Sequence, residues 1–307
     1  MDCLKLTTFA KMMVPNSASC VSDRWIAENA RTAVSRLKFA EEETMSTGYN
    51  RGRGRGRGWA QNDECPLPRP GQLSRSEDVE CTNLINIVDQ IKSTDLEEKA
   101  TEFINYVDHK EEETVKNITD KLYERAIRNR EFGKKLIMLY VCPILKENPN
   151  GSIMWKQLIS NFQTDYERKA ELRQKSVRNF HNVICLFSEY LLQSTGILEA
   201  LHLALLNYLE MLLETASMDD IKVFMEQVII HGPHLCANMM EKMDELMITA
   251  RQTLIRDSLS LAHRQMILYT IDLVNHNCKP LPKDLQTFHE LQLGKNFIQR
   301  TANSNDK

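Results

Sequence analysis

The chain has 307 residues, with 39 Lys and Arg against 42 Asp and Glu, so its formal net charge of −3 makes it neither a basic nor an acidic polyelectrolyte. Its longest apolar stretch, Gly196 to Leu213, is interrupted by Glu199, His202, Asn207 and Glu210, which excludes a membrane span of roughly 20 apolar residues. Eight isolated cysteines without a CxxC pair exclude a zinc module and a small disulfide scaffold.

The average charge hides a split. Residues 1–73 carry 11 basic and 8 acidic side chains, which leaves 28 and 34 for the remainder. Five of the 11 glycines fall in residues 48–58 and three of the 9 prolines in residues 66–70. Residues 1–73 therefore read as a disordered N-terminal tail with too few apolar residues to bury a core. Lys5, Lys11 and Thr7-Thr8 break up the apolar residues of Met1 to Cys20, which reads against a secretory signal and for an intracellular protein. Trp25, Ile26, Ala30, Ala33, Val34 and Leu37 share one face of a helix expected over Asp23 to Phe39. Two readings stand for it, a helix that docks into a partner groove and a transient helix in the tail.

The sharpest local motif is Arg51-Gly-Arg-Gly-Arg-Gly-Arg-Gly58 followed by Trp59. Arg51, Arg53, Arg55 and Arg57 can each contact a phosphate or stack on a base, and the Trp59 indole adds a stacking surface, so RNA is the expected ligand. Such a tract is also a substrate for arginine methylation. The bland alternatives are a protein tether and a solubilising linker.

From Ser76 onward the apolar residues recur with helical spacing and nothing alternates with period two, which predicts an all-α domain over residues 74–278. Leu84, Val88 and Ile91 begin the series, and Phe103, Tyr106 and Val107 form a second stripe after a cap at Thr94. Val115, Ile118, Leu122 and Ala126 line a third helix, opened by Glu111, Glu112 and Glu113 at its positive end. Leu136, Ile137, Leu139 and Tyr140 follow, and Pro143 should kink or end that helix. Three joints are expected, at Asn148 to Gly151, Ser194 to Gly196 and His231 to His234.

Pairing the helices between these joints places the first helix of successive pairs near Ser76, Glu111, Ser152, Ile197 and Pro233. Intervals of roughly 35 to 45 residues fit a HEAT-like α-solenoid of about five helix pairs. A globular bundle and a tetratricopeptide array are the alternatives. Residues 279–307 read as a C-terminal extension, partly disordered.

Two basic clusters lie in the helical domain. Arg125, Arg128, Arg130, Lys134 and Lys135 form one, offered as a partner-binding or RNA-binding surface; Arg168, Lys169, Arg173, Lys175 and Arg178 form the other. Interleaved Glu124, Glu131, Glu167 and Glu171 favour solvated faces with pairs along the helix. Met239, Met240, Met243 and Met247 are expected to be core residues, with an adaptable protein-binding stripe as the alternative, and Cys81, Cys142 and Cys185 to lie on apolar helix faces. His231, His234 and Cys236 have metal-ligand chemistry but no second ligand pair. No phosphate loop, nucleophile elbow or HExxH motif occurs. We therefore expect no catalytic constellation, no cofactor and no metal.

Two segments carry a family resemblance. Met154-Trp-Lys-Gln-Leu-Ile-Ser-Asn-Phe-Gln-Thr-Asp-Tyr-Glu167 and Phe180-His-Asn-Val-Ile-Cys-Leu-Phe-Ser-Glu-Tyr-Leu191 resemble consecutive helices of the middle domain of translation initiation factor 4G, with Ser188 where the family usually has glycine. Met243 to Leu246 with Ile255-Arg-Asp257 is similar to the penultimate repeat. The likeness covers about residues 76–278 and is nearest to the small single-domain adaptors that act with stem-loop-binding, poly(A)-binding or cap-binding proteins. It implies a non-enzymatic cytoplasmic adaptor in mRNA translation, with a second location in the nucleus left open. Its implied partners are initiation factor 3, a DEAD-box helicase and an mRNA-bound adaptor protein. The alternative is an RNA-binding protein whose helical domain grips RNA directly.

Overall fold

The computed structural model describes residues 73–194 and 199–294. Among these residues it contains thirteen α-helices and no strand: α1 (Leu73–Gln90), α2 (Leu96–Val107), α3 (Glu112–Arg128), α4 (Arg130–Val141), α5 (Pro143–Glu147), α6 (Pro149–Glu167), α7 (Lys169–Lys175), α8 (Val177–Gln193), α9 (Glu199–Thr215), α10 (Met218–Asn238), α11 (Met240–Leu254), α12 (Leu261–Asn275) and α13 (Lys283–Leu293). The chain divides into two compact units at Leu84/Ile85, and the packing described below is that of the second.

Helix starts follow local chemistry. Asn129 accepts from the Glu131 and Phe132 amides to open α4, and Asn148 does the same for α6 with Pro149 in the first turn. Ser176 and Ser260 cap α8 and α12, while Ser217 and Asp220 form a reciprocal capping box on α10. Pro143 ends α4 as expected and opens the short α5, where its missing amide proton is not needed. The N-cap of α2 falls one residue beyond the expected Thr94, at Asp95, whose carboxylate accepts from the Lys92 amide instead of capping α2.

Two layers form the array. α3, α6, α9 and α11 make one, and α4, α8, α10 and α12 the other. Side-chain hydrogen bonds between neighbouring repeats show the period directly. Tyr123 bonds Asp165, Asn207 bonds Tyr166, His181 bonds Asp220 and Ser188 bonds His231, across separations of 42, 41, 39 and 43 residues. Each partner sits at the equivalent place one helix pair along, which is the signature of a solenoid. α13 packs on α12, where His289 is buried and bonds Asp272.

The core is densest along α8, buried from Phe180 to Tyr190 except at Asn182 and Glu189. Phe162, Phe187, Tyr123 and Tyr208 meet there edge to face, with centroids 5.5 to 6.2 Å apart. Met239, Met243 and Met247 are core residues, whereas Met240 is 56% exposed. Cys142 and Cys185 are buried, and so is Cys81 of the first unit.

One expected joint is absent. His231-Gly-Pro-His234 lies inside α10, which continues to Asn238. The turn falls at Met239, so the last full pair begins at Met240 and not near Pro233. α10 packs on α9 and α12, and tertiary context of this kind can outweigh the local penalty of proline. Gly232 serves close approach: a side chain there would come within 2.4 Å of the Cys278 sulfur. The Asn148 to Gly151 joint is present as the start of α6, with Gly151 pressed against the Leu145 carbonyl. Ser194 caps the end of α8, and Gly196 lies outside the described residues.

Candidate partner and RNA interface

The basic cluster sits where α3 ends and α4 begins. Arg125 pairs with Asp89 at 3.2 Å and lies over the Phe132 ring, its guanidinium carbon 5.2 Å from the ring centre. Arg130 reaches 2.9 Å to Glu226 of α10, two layer positions along. Lys135 donates to the Asp89 carbonyl. These three side chains therefore tie repeats together. A ligand that engaged Arg125 or Arg130 would have to displace a carboxylate.

Arg128 and Lys134 differ. Among the described residues Arg128 pairs with Glu124 of its own helix at 3.5 Å and is 70% exposed; Lys134 pairs with Glu131 at 3.7 Å and is 42% exposed. Exposed pairs one turn apart are worth about 0.3–0.5 kcal/mol, so both cations are cheaply recruited by a phosphate or a partner carboxylate. They are the two members of the cluster best placed for binding. The tail residues Arg51, Arg53, Arg55, Arg57 and Trp59 lie outside the described residues.

The second cluster also divides. Arg168 grips Glu171 with two nitrogens at 2.9 and 2.8 Å, and Lys169 lies 4.0 Å from the Tyr166 ring centre. Lys175 and Arg178 are exposed. Arg173 turns inward to the end of α9, where it donates to the Met211 carbonyl at 2.6 Å and pairs with Asp220 at 2.9 Å. Arg256 donates to the Leu213 and Glu214 carbonyls at 2.9 and 2.8 Å. The last turn of α9 is thus capped by arginines from both flanking repeats, which satisfies carbonyls that the helix itself leaves open.

Asp220 gathers four side-chain partners at one buried carboxylate. Its carboxylate accepts from His181 at 2.7 Å, Thr215 at 2.6 Å and the Ser217 hydroxyl at 2.7 Å, in addition to Arg173, and the residue is 1% exposed. Burial alone would raise this carboxyl; the bonds from His181, Thr215 and Ser217 and the Arg173 charge outweigh it and hold the group well below the usual carboxylate range. The sequence marks half of this contact, since Ser217-Met-Asp-Asp220 has capping-box spacing before an apolar run. Arg173 and His181, 47 and 39 residues before Asp220, give no such sign.

Ser188 and His231 are 2.7 Å apart, a distance that serine nucleophiles share with their base. The residues are 2% and 3% exposed. Burial, with His202 and His234 nearby, pushes the imidazole down to about 3. This contact is a core hydrogen bond between α8 and α10. Asp220 likewise binds Ser217 and His181 side by side, without the serine-to-histidine bond of a triad.

Among the described residues no group of three or more His, Cys, Asp or Glu could hold a metal ion, so His231, His234 and Cys236 do not converge on one. No helix among them is long and apolar enough to cross a membrane. Comparison with protein-family models gives no match, and comparison with curated proteins gives none either.

Proposed function

We propose that this chain is a non-enzymatic adaptor in mRNA translation, in which the helical array binds proteins and the Arg-Gly tract adds contact with RNA. The observation that carries this reading is the position of the two segments resembling the initiation factor 4G middle domain. Met154 to Glu167 lies within α6 and Phe180 to Leu191 within α8, which form one repeat at the centre of a stacked array. Such arrays present continuous surfaces made of successive helices, suited to extended protein contacts. Initiation factor 3, a DEAD-box helicase and an mRNA-bound adaptor protein are the proposed partners.

The charge pattern supports a division of labour. Arg125, Arg130, Lys135 and Arg173 are engaged inside the array, while the tract from Arg51 to Gly58 contains no acidic residue. Affinity purification of the full chain with and without nuclease tests the reading. Initiation factors retained after nuclease support it; loss of every partner with the RNA favours the alternative, an RNA-binding protein that grips RNA through its helices. A full-length variant with Arg51, Arg53, Arg55 and Arg57 changed to Ala completes the test. Unchanged RNA affinity at two salt concentrations would move RNA binding from the tract to the array.

A further inference from the structure

Cys236 of α10 and Cys278 of the turn after α12 lie in consecutive repeats, 42 residues apart, with their sulfurs 3.7 Å from each other. Three features of the chain bring them together. α12 ends in a tight turn in which the Asn277 and Cys278 amides donate to the Val274 and Leu273 carbonyls, both at 2.8 Å. Asn277 and Cys278 there adopt φ of 54° and 55°, the left-handed conformation that helix ends usually give to glycine or asparagine. That turn carries Cys278 back over α10 at Gly232, where the missing side chain leaves room for its sulfur. Cys236 is buried and Cys278 is half-buried, so only Cys278 is open to a solute.

We propose that Cys236 and Cys278 are a reversible disulfide site that staples α10 to the turn after α12. The oxidant is a low-molecular-weight disulfide such as oxidised glutathione. The Cys278 thiolate attacks one of its sulfurs, forming a mixed disulfide and releasing one thiol. Cys236, after losing its proton to water, attacks the Cys278 sulfur and displaces the second thiol. Two protein thiols are oxidised to one disulfide, and one glutathione disulfide is reduced to two thiols.

Burial pushes the Cys278 thiol up to about 12 and also raises Cys236. Only the thiolate attacks, so the exchange is slow at neutral pH and accelerates with alkali. This is a site that records sustained oxidising conditions rather than a rapid peroxide sensor. Closing it joins the second layer of the last two repeats, where α10 already packs on α12. The inference stands independently of the adaptor reading.

The test uses the full reduced chain incubated with oxidised glutathione, quenched in acid, alkylated and digested without reductant for mass spectrometry. The expected product is a peptide pair joined through Cys236 and Cys278, formed roughly tenfold faster per pH unit between pH 7 and 9. It should dominate over links to the other six cysteines and lose that dominance when the same reaction is run in denaturing urea. A Cys236→Ala variant should instead accumulate glutathione on Cys278. Persistent glutathione on Cys278 of the unaltered chain, no reaction at either cysteine, or equal linkage to other cysteines would each overturn the proposal.

Discussion

The Asp220 contact and the Arg128–Glu124 pair use the same chemistry, a cation beside a carboxylate, with opposite consequences. Asp220 is enclosed by groups from α7, α8 and α9, and the side chains of Arg173 and His181 are 13% and 11% exposed. Arg128 and Glu124 are 70% and 64% exposed and sit on one helix. Water and salt screen the exposed pair and leave it free to exchange partners. The enclosed carboxylate has no such alternative, so removing it strands several donors at once. The enclosed charges therefore hold repeats together, while the exposed ones stay free to exchange partners.

The sharpest way to break this contrast is Asp220→Ala, which leaves Arg173, His181, Thr215 and Ser217 without their acceptor. We expect a loss of about 3–5 kcal/mol in urea denaturation; a loss below about 1 kcal/mol would place Asp220 with the surface pairs. Leu205→Ala gives an apolar reference for the same core. Leu205 is 0% exposed, and its truncation should cost about 2–5 kcal/mol. An unchanged midpoint would show that α9 does not bury this face.

Acid titration sharpens the contrast through its direction. His231 is held down to about 3 from an ordinary value of 6.5. The unfolded chain therefore takes up a proton that the folded chain refuses. Stability is fully present above about pH 6.5 and falls as pH drops toward 3, by up to about 1.4 kcal/mol per pH unit. His231→Gln should flatten that slope in urea midpoints measured from pH 6.5 to 4. The Asp220 carboxylate is also depressed, so its contribution is present above its unfolded value near 3.8 and is lost only at lower pH. An unaltered slope in the His231 variant would show that another group takes up the proton.

The smallest effect belongs to the surface. Arg128→Glu with Lys134→Glu should change stability by no more than about 1 kcal/mol, while weakening capture of acidic partners or RNA in a pull-down. A large fall in melting temperature would mean that these cations, like Arg125 and Arg130, tie repeats together.

Much of the fold was legible because its signals are local. The apolar stripes of Val115 to Ala126 and Leu136 to Tyr140 place α3 and α4 directly, since helical periodicity depends only on residues three and four apart. Asn148-Pro and Pro143 mark real boundaries for the same reason. Gly232-Pro233 carries an equally strong local breaking signal, yet α10 passes through it. The basic cluster was legible as composition but not as function, because the Asp89 and Glu226 that occupy Arg125 and Arg130 lie 36 and 96 residues away.

The sequence by itself determined that the described residues form helices, that the repeat is near 40 residues, and that boundaries fall at Glu111, Pro143 and Asn148, all of which follow from short-range stereochemistry. Only the tertiary structure decided that α10 remains unbroken, that Arg173 and Asp220 meet, and that Cys236 faces Cys278. These depend on the register in which one helix pair stacks on the next, and that register is set by side-chain packing across some 40 residues, beyond the reach of any local pattern.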